Sequence, residues 1–232
     1  MDAYTWLVKI LQKVFLIDKE LVPYEVFLSR VARCARIQIS AERGLRVVLP
    51  KNFPLSDVEK MLSERRMWIT DKVRSIAKIP RLADGLVVRI LEREIILVMH
   101  ESACTELREH FLHLPARRAK EAFREWLREE ARKYFSVRLP ELSRELDISF
   151  RRFSVRAQKT RWGSASRRRT ISLNYKLLLM PLWVSDYVMI HELCHLVHMN
   201  HSLRFWKLVE SFCPRFREAR KWLRKEGRYL PV

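Results

Sequence analysis

The sequence predicts an α+β fold, with a small β-rich N-terminal part that includes a helix over residues 1–100 and a helix-dominated part over 101–232. Three observations carry that prediction. Of 232 residues, 48% are apolar and 10% aromatic, enough to bury a core against chain entropy, so a disordered chain is excluded. Short strand-like runs bounded by turn residues come first, and stretches with a 3.6-residue apolar period dominate later. Only four glycines are present, too few for a fold made of many tight glycine turns.

Residues 1–17 are partly apolar, but Asp2 stands where a secretory signal needs positive charge, and Lys9 and Lys13 interrupt the run. Strand-like runs follow at 26–28, 36–40 and 45–49, the last two joined across Glu42, Arg43 and Gly44, where glycine accepts the positive φ of a tight turn. Pro50 and Pro54 end this region. Ser56 with Glu59 has the pattern of a capping box and predicts a helix to Lys78, with Val58, Met61, Leu62, Trp68 and Ile69 as its inner stripe. Residues 86–99 read as a strand pair turning near Glu92 and Arg93.

A long charged helix is expected from Pro115 to Arg138, with Ala119, Phe123, Trp126, Leu127, Ala131 and Tyr134 at helical spacing. Pro140 kinks or ends it, and a short helix to Leu146 follows. Strand-like runs at 150–157 and 170–175 bracket a basic loop. A buried helix over 184–198 and two more over 202–212 and 216–225 complete the chain.

Charge narrows the function. Residues 151–232 hold 18 basic residues against 5 acidic ones, so +13 of the net +19 lies there. The stretch 151–169 alone has eight basic residues and no acid, which suits either a solvated loop or a polyanion partner such as nucleic acid. Cys34, Cys104, Cys194 and Cys213 lie far apart without a C-x-x-C pair, which speaks against a disulfide framework or zinc ribbon and for a reducing cytoplasm. The longest other apolar run, 177–184, is far short of a bilayer span, so no membrane partner is expected.

The sharpest motif is His191-Glu192-Leu193-Cys194-His195. Two histidines four apart on a helix stand about 6 Å apart along the axis on one side, so both rings can meet one metal ion. A carboxylate beside them can take a proton from a metal-bound water. A catalytic zinc needs a third protein ligand. His198, one further turn along, lies too far up the axis. His201 reaches the pair only if the helix breaks after about residue 198, for which Asn200 in a left-handed conformation and Ser202 as the next N-cap provide the means. His201 is therefore the expected third ligand, with Glu210 as runner-up. The spacing His195 to His201 equals that of metzincins, but His198 stands where those have glycine.

In its order of motifs the segment resembles the YgjP-like, SprT-related zinc metallohydrolases. The matching text is Lys159-Thr160-Arg161-Trp162-Gly163-Ser164, Ile171-Ser172-Leu173-Asn174, Asp186-Tyr187-Val188, the H-E-x-x-H motif, Met199-Asn200-His201-Ser202 and Phe205-Trp206. The likeness is strong over residues 150–225 and looser over 24–78. Ala165 departs from it, standing where the family usually has cysteine. The resemblance implies a zincin-like catalytic domain over 101–232, zinc held by His191, His195 and His201, Glu192 as the catalytic carboxylate, and Arg161, Trp162, Gly163 and Ser164 on the substrate side of the cleft. Trp162 either stacks a substrate base or seals the core, the latter being favoured.

The leading expectation is a zinc-dependent metallopeptidase. A nucleoside triphosphate pyrophosphatase of the UTP type using the same site, and a nucleic-acid-associated module with structural zinc completed by Cys194 or Cys213, are the alternatives.

Overall fold

The computed structural model of the protein describes residues 7–17, 20–40, 43–77, 79–158 and 160–231. The expectations placed on Glu42, Lys78 and Lys159, and on residues 1–6, lie outside the described residues. As expected, the fold is α+β, with three small sheets and six α-helices among the described residues.

The chain divides into two units, Met1–Pro80 and Arg81–Val232. The division therefore precedes the strand pair that the sequence reading grouped with the N-terminal part. Val88, Ile90, Ile95 and Leu97 of that pair belong to the same buried cluster as Phe123 and Leu127 further on, and burial, not sequence proximity, decides which unit a strand joins.

In the first unit, β1 (Leu7–Ile17), β2 (Glu20–Ser29), β3 (Arg36–Ser40) and β4 (Gly44–Pro50) form one sheet in the order β1-β2-β4-β3. Strand β1 is new relative to the sequence reading. Its two interrupting lysines are satisfied locally, Lys9 by Glu25 at 2.6 Å and Lys13 by Glu59 at 2.9 Å. Gly44 takes φ +63° at the start of β4, as the turn requires. The single helix expected after Ser56 is two, α1 (Asp57–Glu64) and α2 (Arg66–Ala77), separated at Arg65, whose N–H closes back on Leu62 with three-residue spacing. The capping box does not form: Ser56 is itself helical and its hydroxyl donates to Asp57 Oδ1 at 3.2 Å. Val58, Leu62 and Ile69 are buried as expected, but Trp68 is 45% exposed.

In the second unit, β5 (Val87–Ile90), β6 (Arg93–His100), β7 (Glu106–Arg108) and β8 (Phe111–Pro115) are ordered β5-β6-β8-β7. The β5–β6 turn is Leu91-Glu92, both with positive φ (49° and 67°), matching the twist of the strands. Helix α3 (Ala119–Glu145) runs unbroken through Pro140, which the sequence reading took as its kink or end. Leu139 and Leu142 on either side of the proline are both buried, so packing offsets the roughly 3 kcal/mol that an interior proline costs. The third sheet joins β9 (Arg152–Arg156), β10 (Gly163–Ala165) and β11 (Thr170–Asn174) in the order β10-β11-β9. Helices α4 (Leu182–Cys194), α5 (Leu203–Phe212) and α6 (Phe216–Lys225) follow. Arg138 of α3 grips Asp186 of α4 through two bonds, 3.2 and 2.7 Å, fixing the helix that carries the motif.

Candidate metal centre

Helix α4 is buried almost all round, with Val184, Val188, Met189, Leu193 and Cys194 enclosed, so its polar residues must find partners or a cation. It ends at Cys194. The His195 ring donates from Nδ1 to the His198 carbonyl at 3.1 Å, while the His198 N–H donates to the Cys194 carbonyl at 2.9 Å. That turn fixes the tautomer of His195, leaving Nε2 as a bare lone pair. His198 thus takes part through its backbone. The break that brings His201 back is made by this turn and by Ser202, whose Oγ caps α5 by accepting from the Phe205 N–H at 3.4 Å. Asn200 is not in the left-handed region that the sequence reading gave it.

His191 Nε2 lies 3.1 Å from His195 Nε2 and 3.2 Å from His201 Nε2, and ligand atoms of the three all fall within 4.8 Å of one another. Zinc–nitrogen bonds of 2.0–2.1 Å in a tetrahedron set nitrogens about 3.3 Å apart, so this donor set fits such an ion. The rings of His191 and His195 are ready to coordinate. Burial foremost, then His195, His201 and Arg220, drives the His191 pKa down to about 3, and burial also lowers that of His195. Neutral imidazole is the form a metal needs. Phe205 stacks on His195 (4.4 Å, 23°) and Trp206 on His201 (5.4 Å, 25°), a frame that fixes both rings. Tyr187 Oη stands 3.4 Å from His191 Nδ1. Among the described residues, the group contains neither Glu210, which pairs with Arg217 at 2.7 Å, nor Cys194 or Cys213, which are free thiols.

Glu192 is 5% exposed, and its Oε2 has no hydrogen-bond partner. Burial pushes its pKa up to about 8, with Arg161 pulling the other way. The side chain lies flat against β10: a Cβ added to Gly163 would stand 2.6 Å from Glu192 Cγ and Oε1. This glycine is therefore a requirement of the carboxylate's position.

Arg161, Trp162, Gly163 and Ser164 line one cleft of about 520 Å³ together with His191, Glu192, His195 and His201. Trp162 is half-buried against the core, and its ring leaves only 3.0 Å for a Cβ at Gly227, so it forms a wall. Of the basic run, Arg167, Arg168 and Arg169 are exposed on the β10–β11 turn, and Arg169 is tied to the Ser149 carbonyl. A residue to which the sequence reading gave no role is Asn174. Buried at 1%, it donates from Nδ2 to the carbonyls of Gln158 (2.8 Å) and Arg161 (3.1 Å), while its N–H reaches the Trp162 carbonyl (2.8 Å). It pins the loop that forms the cleft wall. The signal for it was an asparagine ending an apolar strand, where only backbone partners can satisfy an amide.

The family model described as YgjP-like, metallopeptidase domain, matches residues 33–226. No curated protein matches the chain. Among solved structures, it is similar to the crystal structure of the metallopeptidase zymogen of Pyrococcus abyssi abylysin, with 27% identity, 40% of this chain and 94% of that chain covered, and a TM-score of 0.35. No helix of the described residues is long and apolar enough to cross a membrane.

Proposed function

From the premise that the chain belongs to the YgjP-like metallopeptidase family, we propose that it is a zinc-dependent hydrolase that cuts peptide bonds, with Glu192 as general base. One observation carries this reading: the imidazoles of His195 and His201 stand 3.1 and 3.2 Å from that of His191, beside a buried carboxylate on the wall of a cleft. His191, His195 and His201 would hold the ion, which when bound supplies Lewis acidity for a carbonyl and for water. Glu192 Oε2, with no other hydrogen-bond partner, takes the proton of the attacking water and returns it to the leaving amine. Burial raises the Glu192 pKa in the metal-free protein, and a cation held by the three histidines would favour its ionised, proton-accepting form. Among the described residues strand β10 has one strand neighbour, β11, so its other edge would align an extended chain by main-chain hydrogen bonds.

A second reading, hydrolysis of nucleoside triphosphates at the same site, is favoured by Arg161. It is exposed on the cleft, where its charge acts on Glu192. A cation there suits a polyphosphate.

The test is metal analysis of the purified protein, followed by hydrolysis of an unstructured protein and of UTP, each at low and high salt. A peptidase cleaves the protein with little salt dependence, and Glu192→Gln keeps the metal while losing at least about 10²-fold in turnover. Salt-sensitive UTP hydrolysis weakened by Arg161→Ala, without protein cleavage, replaces the first reading by the second. Normal turnover in Glu192→Gln refutes the role given to that residue in both.

A further inference from the structure

A second cavity, of about 620 Å³, lies away from the histidines, between α3 and β9. Its walls are Arg132, Lys133 and Ser136 on the helix and four consecutive residues, Phe153, Ser154, Val155 and Arg156, on the strand. Side chains alternate along a strand, so four consecutive residues line one groove only where the strand presents its edge and not one face. That edge is open. β9 has β11 as its single strand neighbour, and among the described residues no other backbone group bonds to 152–156. An unpaired edge is a row of N–H and C=O groups at strand spacing, a template for one more strand.

The chemistry of the groove selects what that strand carries. Phe153 and Val155 are half-buried against the core and give an apolar floor, whereas Arg132, Lys133 and Arg156 give a rim with no acidic residue among the lining. Arg132 and Lys133 are held by Glu129 and Glu130, at 2.5 and 2.8 Å, in exposed pairs along the helix. Exposed pairs of this kind contribute little and are exchanged easily for a better-placed anion. Arg156 has no carboxylate partner among the described residues.

A single-stranded nucleic acid needs an aromatic face on which to stack its bases. Phe153 is the one aromatic residue of the lining, and it is half-buried against the core with no second ring beside it in the groove. The open strand edge instead matches the main chain of a peptide.

We propose that the groove between α3 and β9 binds an extended acidic peptide segment, which adds as a strand to the free edge of β9 and sets its carboxylates against Arg132, Lys133 and Arg156. Five strand residues accommodate a segment of about five or six. The site is at the opposite edge of the three-stranded sheet from β10, about 10 Å away at ordinary strand spacing. A chain bound there leaves the metal cleft free, and the proposal does not depend on which bond that cleft hydrolyses.

The experiment uses the metal-loaded full chain with Glu192→Gln to prevent turnover. A fluorescent heptapeptide of alternating Glu and Val is titrated by anisotropy, beside its Gln-for-Glu counterpart and a version N-methylated at alternate residues. We expect the acidic peptide to bind, and the other two to bind at least tenfold more weakly, since one lacks the charge and the other the main-chain donors. The pair Arg132→Glu and Arg156→Glu should weaken binding by a similar factor, with an unchanged circular dichroism melt showing that the fold is kept, whereas Arg161→Ala in the metal cleft should not. Equal binding by the N-methylated peptide, indifference to the charge reversals, loss through Arg161→Ala alone, or binding of oligothymidylate but not peptide through Arg132 and Arg156 would each overturn the proposal, as would no binding at millimolar peptide.

Discussion

Replacing Gly163 by alanine tests the most demanding contact at the metal centre. The added methyl would stand 2.6 Å from Cγ and Oε1 of Glu192 and 2.8 Å from Cδ, where carbon atoms pack at about 3.5–4.0 Å. Something must move by about 1 Å. The strand resists, since Gly163, Ser164 and Ala165 pair with Leu173, Ser172 and Ile171 and the Asn174 amide pins the loop before them. Glu192 yields instead, and its carboxylate is pushed off the position it holds against β10. Overpacking of this kind costs about 1–3 kcal/mol of stability, and a reactive group displaced by about 1 Å loses on the order of 10² in rate. Because none of the three histidines is touched, metal content should stay at the wild-type level. The assay is kcat and KM on an unstructured protein together with metal stoichiometry and thermal unfolding, with Ser164→Ala as the control on the same strand. A Gly163→Ala protein with wild-type kcat and full metal would refute the argument, because it would mean that the carboxylate acts equally well from another position.

The histidine set makes a separable prediction: His201→Ala should lower metal affinity by orders of magnitude, while Glu210→Ala, which removes only the partner of Arg217, should leave it unchanged; equilibrium dialysis distinguishes them, and the opposite ranking makes Glu210 the ligand. For the chelated protein, stability should fall with acidification. His191 titrates at 6.5 unfolded but at about 3 folded, so between those values the unfolded chain holds the extra proton and stability drops by up to about 1.4 kcal/mol per pH unit as pH falls. Denaturant midpoints from pH 7.5 to 4 measure this, and a His191→Phe protein with the same slope would show that the group contributes nothing. Asn174→Ala leaves the carbonyls of Gln158 and Arg161 without their amide donor, at a cost of about 1–3 kcal/mol. Substrate KM should rise more than kcat falls, and an unchanged melting temperature would show that the loop is held by other means.

What the sequence revealed depended on the range of the interaction. The apolar helix bearing His191 and the Ser202 cap of α5 are set by neighbours within a turn, and periodicity and capping rules read such features directly, whereas the helix ends at Cys194 and not at 198, because its apolar pattern runs on past the turn that stops it. Position Pro140 misled because buried leucines on both sides outweigh a local penalty that the sequence displays and the packing does not. The Ser56 pattern misled in the opposite sense, the residues for a cap being present while the backbone continued as helix. Strands β7, β8 and β10, of three to five residues, are too short to show a period, and with the first two went the placement of the strand pair before them. The approach of Gly163 to Glu192 joins positions far apart in sequence. Glycine in a short motif announces that space is needed, but not by which side chain.

Among the described residues, the three-stranded sheet of the second unit ends in two edges without a further strand, β10 on one side and β9 on the other. Open edges invite copies of a protein to zip together, and a sheet of this kind without protection would be a route to aggregates. Arg151, Arg152 and Arg156 lie along the β9 edge, and Arg167, Arg168 and Arg169 stand on the β10–β11 turn, where the Arg169 carbonyl accepts from the Arg151 N–H. A second molecule approaching the β9 edge brings the same cluster of positive charge and is repelled. The excess of arginine thus acts as a filter on self-association, strongest in dilute buffer and weakened as salt shortens the range of repulsion. Purification at high ionic strength, chosen for so basic a chain to strip bound polyanions, would weaken that repulsion.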